Sequence, residues 1–203
     1  MSVRKNEVKK IRFWTPLRLV TTIIVFGLLV AVAVSSCNSN DPPSKTAARA
    51  NTANTLPRQV LDAENRAAAS GTPIKLANYS GKVMLINLWA TWCGPCRMET
   101  PELVKLHKEY QTRGVEMIGL STENPDLSAR SVSDFVREFN VDYQIGWAKP
   151  ELAQIMMAGR TSIPQSFIIA RDGHVIRRFI GFNPETTPTQ LKEALEQALK
   201  EEG

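Results

Sequence analysis

The hydrophobic pattern divides the 203-residue chain into stretches of different character. Residues 19–34 read LVTTIIVFGLLVAVAV without a charge. Together with the residues up to 37 they approach the roughly 20 residues that cross a bilayer core. Residues 38–55 have two prolines and many Ser, Thr, Asn and Ala but no large apolar side chain. Such a segment cannot bury enough surface to order itself, and it reads as a disordered linker with a reach of roughly 25 Å. From residue 56 to 203 strand and helix patterns alternate, as expected of a folded domain. A leading strand is expected over 56–61, an Ala-rich stretch up to 70, and a further short strand over 74–76. Residues 83–89 (VMLINLW) are a near-continuous apolar run, the signature of a strand covered on both faces. Residues 93–111 then place Met98, Leu103, Leu106 and Tyr110 at helical spacing.

The alternation continues with a strand over 115–120. A helix over 131–139 carries Phe135, Val136 and Phe139 on one side, and a helix over 150–157 has proline in its first turn, where the missing N–H costs nothing. A strand over 166–170, an Asp172-Gly173 turn and a returning strand over 175–180 follow. An amphipathic helix over 188–200 closes the chain, with Leu191, Ala194, Leu195, Ala198 and Leu199 at helical intervals. βαβ units followed by a hairpin and a helix predict a three-layer α/β/α domain around a central mixed sheet, two helices on each face.

Charge adds topology. Residues 1–18 hold six basic side chains and one acid, which leaves 19 of each sign in the rest. The net +5 therefore belongs to the tail. The neutral body argues against nucleic-acid binding, which needs a basic face. A basic segment before an apolar one places the N-terminus in the cytoplasm and the domain on the outer side of the membrane. Residues 19–37 fit either an uncleaved transmembrane anchor or a secretory signal. Val34-Ser35-Ser36-Cys37 is similar to a bacterial lipobox, which would make Cys37 the lipidated end of the mature chain.

The chemistry lies in Trp92-Cys93-Gly94-Pro95-Cys96, directly after a buried strand and at a helix start. Unpaired backbone N–H groups and the positive end of the helix dipole favour a thiolate at Cys93, the exposed position. Cys96, one turn deeper, can attack a mixed disulfide formed there. Four-ligand zinc does not fit: there is one CxxC, and His107 and His174 stand apart from it. A structural disulfide enclosing two residues would stabilise little. Glu99 lies three residues past Cys96, and a carboxylate there can accept the proton of Cys96. No nicotinamide or flavin motif is present, so no cofactor is expected and electrons must come from a partner.

Residues 81–103, GKVMLINLWATWCGPCRMETPEL, resemble the thioredoxin superfamily, and more closely the TlpA/ResA-like membrane-anchored reductases of bacterial envelopes. The resemblance runs from about residue 74 to the C-terminus. It implies the thioredoxin fold with an added N-terminal strand pair and an insert between the second strand and the next helix. It implies a cis bond at Ile163-Pro164, with the neighbouring backbone pairing an extended substrate segment, and it makes Trp92, Ile163 and Pro164 the substrate-binding positions. Pro101 matches the family's helix kink. Thioredoxins proper carry an acid where this chain has Asn87, and the envelope reductases have an acid at the spacing of Glu99. The function implied is reduction of disulfides in exported proteins, re-reduced by a membrane electron donor; several relatives reduce apocytochrome c. The alternatives are an envelope isomerase or oxidase running the same exchange in another direction, or a copper chaperone. A peroxidase of the related peroxiredoxin type would want a cysteine after Thr100-Pro101, and none follows.

Overall fold

The computed structural model describes residues 55–201. The expected anchor, the lipobox cysteine Cys37 and nearly all of the linker lie outside the described residues. Thr55 forms a lone antiparallel bridge with His174, and Leu56 N donates to Gly173 O at 3.2 Å. Pro57 has no N–H with which to continue that pairing, and the chain turns into a short helix, α1, Arg58–Leu61. The leading strand expected over 56–61 is therefore absent. The N-terminal strand pair is made instead by β1, Asn65–Ala67, and β2, Pro73–Ile74; a 3-10 turn, Leu76–Tyr79, follows. β1 falls in the Ala-rich stretch that carries no strand signal of its own. Its partner holds it: Arg66 faces Trp147 and Ala67 faces Gly146 in antiparallel register.

β3, Val83–Trp89, leads into α2, Gly94–Tyr110, and β4, Val115–Ser121, into α3, Pro125–Glu138. α3 begins six residues before the expected start. Asn124 caps it by accepting from Asp126 N at 2.9 Å, and Pro125 takes the first turn, a signal present in the sequence. β5, Gln144–Trp147, has no counterpart among the expected elements. It is four residues long with a glycine inside, too brief for a period to show. Gly146 is required there: a Cβ would stand 2.9 Å from Arg66 O and 2.7 Å from Ile74 Cδ1. α4, Pro150–Met157, β6, Gln165–Ile169, β7, Val175–Ile180, and α5, Thr187–Lys200, stand within a residue of their expected bounds.

The sheet runs β2-β1-β5-β4-β3-β6-β7. β3, β4 and β5 are parallel neighbours, and the remaining pairs are antiparallel. β3 is buried along its whole length, and alternation sends its side chains to two cores. Val83 and Leu85 pack with Leu103, Leu106 and Tyr110 of α2 and Leu191 and Leu195 of α5. Met84, Ile86 and Leu88 pack with Val60 of α1 and Leu152 and Met156 of α4. Trp89, on the first face, packs with Val132 and Phe135 of α3. Three helices thus cover one face and two the other, not two and two. The two βαβ crossovers step in one direction from β3 to β5, and their right-handedness puts both helices on the same side.

Candidate active site

β3 ends at Trp89 beneath the loop Ala90–Trp92, and Cys93 is the N-cap of α2: its sulfur accepts from Cys96 N at 3.2 Å. Pro95 sits in the first turn, where no donor is lost. Cys93 and Cys96 are joined by a disulfide of 2.02 Å. In this oxidised state the expected exposure of Cys93 is not seen; Cys93 is 4% exposed and Cys96 1%. The reason is the neighbouring loop. The Ile163-Pro164 bond is cis, as the resemblance implies, and Ile163 O stands 3.6 Å from Cys93 Sγ. Pro164 is buried and Ile163 half-buried, while Trp92 projects into solvent at 72% exposure.

Glu99 is not a solvated helix residue. It is 1% exposed, and its two oxygens accept from different strands. Asn87 Nδ2 on β3 donates to Oε2 at 2.9 Å, and Ser166 Oγ on β6 donates to Oε1 at 2.9 Å. Asn87 Nδ2 also donates to Ser166 Oγ at 2.9 Å, which closes a ring. Burial pushes the carboxyl up from 4.5 to about 7, against the pull of the two hydrogen bonds, which favour the ionised form. The register explains the meeting, since Asn87 and Ser166 are direct partners across β3 and β6. Helix phase does the rest: at about 100° per residue Glu99 lies roughly 40° from the buried Leu103, and Met98 roughly 140°. Met98, expected on the apolar stripe, is accordingly 52% exposed.

Further residues complete the surroundings, and the sequence pattern did not single them out. Tyr143 is buried below β5, and its phenol is held far above its usual range by burial and by the Glu99 charge. Gly119, paired with Asn87, leaves room for this packing; a Cβ there would come within 3.1 Å of Tyr143 Cε2, 3.2 Å of Trp89 Nε1 and 2.7 Å of Ile145 Cδ1. Glu123 fastens the loop before the cysteines. It accepts from Thr91 N at 2.7 Å and from Thr91 Oγ1 at 2.8 Å. A glycine inside an apolar strand and a serine two residues past a proline were the available signals. Pro101, inside α2, has no N–H for the Arg97 carbonyl, and Thr100 Oγ1 donates to Cys96 O at 2.8 Å. His107 and His174 lie apart from this constellation, against Asp142 in one case and Asp172 and Glu201 in the other.

A buried disulfide at a helix start, a cis-proline loop against it and a buried carboxyl one helical turn past Cys96 form the setting in which comparison with known proteins is informative. The Redoxin family pattern matches residues 34–195. The chain belongs to the Redoxin family. It is similar to the thiol-disulfide oxidoreductase ResA of Geobacillus thermodenitrificans, 30% identical over 184 residues, 90% of this chain and 95% of that one. With the ResA of Bacillus anthracis it shares 34% identity over 130 residues, 64% of this chain and 69% of the other. This member of the Redoxin family is thus a ResA-like thiol–disulfide oxidoreductase of the thioredoxin superfamily. Among solved structures, a thiol:disulfide interchange protein from Chlorobium tepidum superposes with a TM-score of 0.57 at 27% identity, over 68% of this chain and 95% of that one. A secreted thiol-disulfide isomerase from Corynebacterium glutamicum, at 23% identity, shares the fold with a TM-score of 0.61 over 69% and 84% of the two chains.

Proposed function

We propose that this oxidoreductase is a membrane-tethered reductase of disulfides in exported proteins, with Cys93 as nucleophile and Cys96 as resolving thiol. The disulfide closed between them at the mouth of α2 carries the reading. Cys96 N–H donates to the Cys93 sulfur in the disulfide state, and the same donor kept on reduction favours the thiolate there. The Cys93 thiolate attacks a substrate disulfide, one substrate thiolate leaves, and a mixed disulfide forms. Cys96 loses its proton to Glu99 and attacks Cys93 Sγ, which releases the second substrate thiol and leaves the enzyme oxidised. A buried carboxyl poised near neutrality, one turn beyond Cys96, suits that transfer. Trp92 and the Ile163-Pro164 segment supply the surface on which an extended substrate lies. An electron donor in the membrane returns the dithiol to its reduced state.

The tether is residues 19–37, as transmembrane anchor or as a lipoprotein signal ending at Cys37, and it leaves the domain on the outer face of a bacterial envelope. Mass spectrometry of the membrane-extracted chain separates the two forms. The reductive direction is tested by equilibrating the dithiol with glutathione buffers. A potential roughly between −270 and −200 mV is expected, and one near about −120 mV would make the protein an oxidant. Trapping on a Cys96→Ser variant identifies the substrates, and apocytochrome c is the first to test.

A further inference from the structure

We propose that Gln165 and Arg178 are positioning residues which set how tightly the 161–163 segment grips an extended polypeptide. The proposal rests on reading that segment as the substrate-pairing loop. The segment is thinly held. It leaves α4 through two left-handed residues, Ala158 and Gly159 (φ 49° and 75°), and Arg160, Thr161 and Ser162 are exposed. Arg160 N returns to Met157 O at 3.0 Å. Beyond that and the 3.6 Å approach of Cys93 Sγ to Ile163 O, one side-chain hydrogen bond among the described residues ties residues 161–163 down: Gln165 Nε2 donates to Ser162 O at 2.7 Å.

Gln165 is fully buried. Its Oε1 accepts from Arg178 Nε at 3.1 Å and from Arg178 Nη2 at 2.5 Å. The same Nη2 donates to Met157 O at 2.6 Å, at the end of α4, and the guanidinium lies 5.2 Å from the Phe167 ring centroid. The result is a strut with two links, from the carbonyl before Ile163 through a buried amide to a guanidinium anchored on α4 and β7. A fully buried glutamine that meets a half-buried arginine is an expensive way to fill the start of β6, where an aliphatic side chain would need no partner. Their geometry has a use at Ile163, whose carbonyl stands 3.6 Å from Cys93 Sγ. With the strut in place, the peptide groups of 162–163 are held ready for an incoming backbone. Without it, that order must be imposed when substrate binds, and affinity falls.

The test uses the reduced full-length chain in single-turnover reactions. The enzyme dithiol becomes a disulfide as the substrate disulfide becomes two thiols. One substrate is an extended disulfide-bridged polypeptide, and the other is 2-hydroxyethyl disulfide, which has no peptide backbone. Gln165→Glu keeps the length and gives Arg178 a carboxylate but removes the donor to Ser162 O. Its half-saturating polypeptide concentration should rise roughly fivefold, the worth of about 1 kcal/mol. The limiting rate, the reaction with the small disulfide and the urea midpoint should stay put. Arg178→Lys, which keeps the charge but not the fork, should shift the same quantity in the same direction. An unchanged half-saturation in both variants, or an equal slowing with both disulfides, overturns the proposal. Ile163→Ala separates the two readings. If it weakens polypeptide binding while Gln165→Glu does not, the strut is wrong and the loop stands. If it has no effect, the loop reading falls and takes the strut with it.

Discussion

Replacing Glu99 by Gln should make the stability of the oxidised protein less sensitive to pH, by an amount the burial of that carboxyl sets. The carboxyl titrates at about 7 in the fold against an ordinary 4.5. The folded state therefore holds this proton more tightly than the unfolded chain does. Below about pH 4.5 both states are protonated and the group has no effect on stability. As the pH rises toward 7 the unfolded chain sheds the proton first, and stability falls by up to about 1.4 kcal/mol per pH unit. Above 7 the full penalty, roughly 3 kcal/mol, is in place. Glu99→Gln keeps the volume and has no charge to bury. Its amide oxygen can accept from Asn87, and the Ser166 hydroxyl can reverse to accept from its amide N–H. Urea unfolding of both proteins, with the disulfide intact, at intervals from pH 4 to 8 gives the difference directly, and every other carboxyl cancels. The variant should gain about 3 kcal/mol on the wild type across that range. Parallel curves, with a difference that does not move with pH, would refute the reasoning and return Glu99 to an ordinary carboxylate.

Ser166→Ala removes one of the two donors that favour ionised Glu99, so the acid limb attributed to Glu99 in the pH–rate profile of mixed-disulfide resolution should move to higher pH. Ser166→Thr should restore it, and an unmoved limb counts against the ring. Gly119→Ala forces a methyl to within 2.7 Å of Ile145 Cδ1 and 3.1 Å of the Tyr143 ring. Denaturant titration should show a loss of about 1–3 kcal/mol, and a neutral result would mean that β5 yields freely. In the reduced protein near neutral pH, alkylation followed by peptide mapping should label Cys93 well before Cys96. Equal labelling would undo the assignment of nucleophile and resolving thiol.

The sequence disclosed those parts of the molecule whose cause is local. Residues 83–89 are apolar but for Asn87 because that strand is covered on both faces, and α2 starts at the cysteines because Cys93 can cap it and Pro95 suits its first turn. What stayed hidden depends on distant partners. β1 has the composition of a loop and is a strand only because β5 lies beside it, and β5 is too short to show a period. In the site, the spacing from Cys96 pointed to Glu99 but could not tell a buried carboxyl from a solvated one. That difference is decided by Asn87 and Ser166, 79 residues apart in the chain and opposite each other in the sheet. Asn87 drew notice as a missing acid, whereas its actual part is to donate a hydrogen bond to the acid that is present.

The lone bridge between Thr55 and His174 has a bearing on orientation. His174 belongs to the turn after β6, and β6 runs antiparallel to β3, so Ile169 lies opposite Met84 and Gln165 opposite Leu88. The described chain therefore begins at one pole of the sheet and the sulfurs sit at the other. β3 alone, seven residues long, separates the poles by roughly 23 Å at about 3.3 Å per residue. On the proposed tethering, the leash is fastened at the pole away from the dithiol. If the proposed donor lies in the membrane, the dithiol is at the end of the domain away from the proposed tether, and shortening residues 38–54 should hinder re-reduction before it hinders attack on substrate.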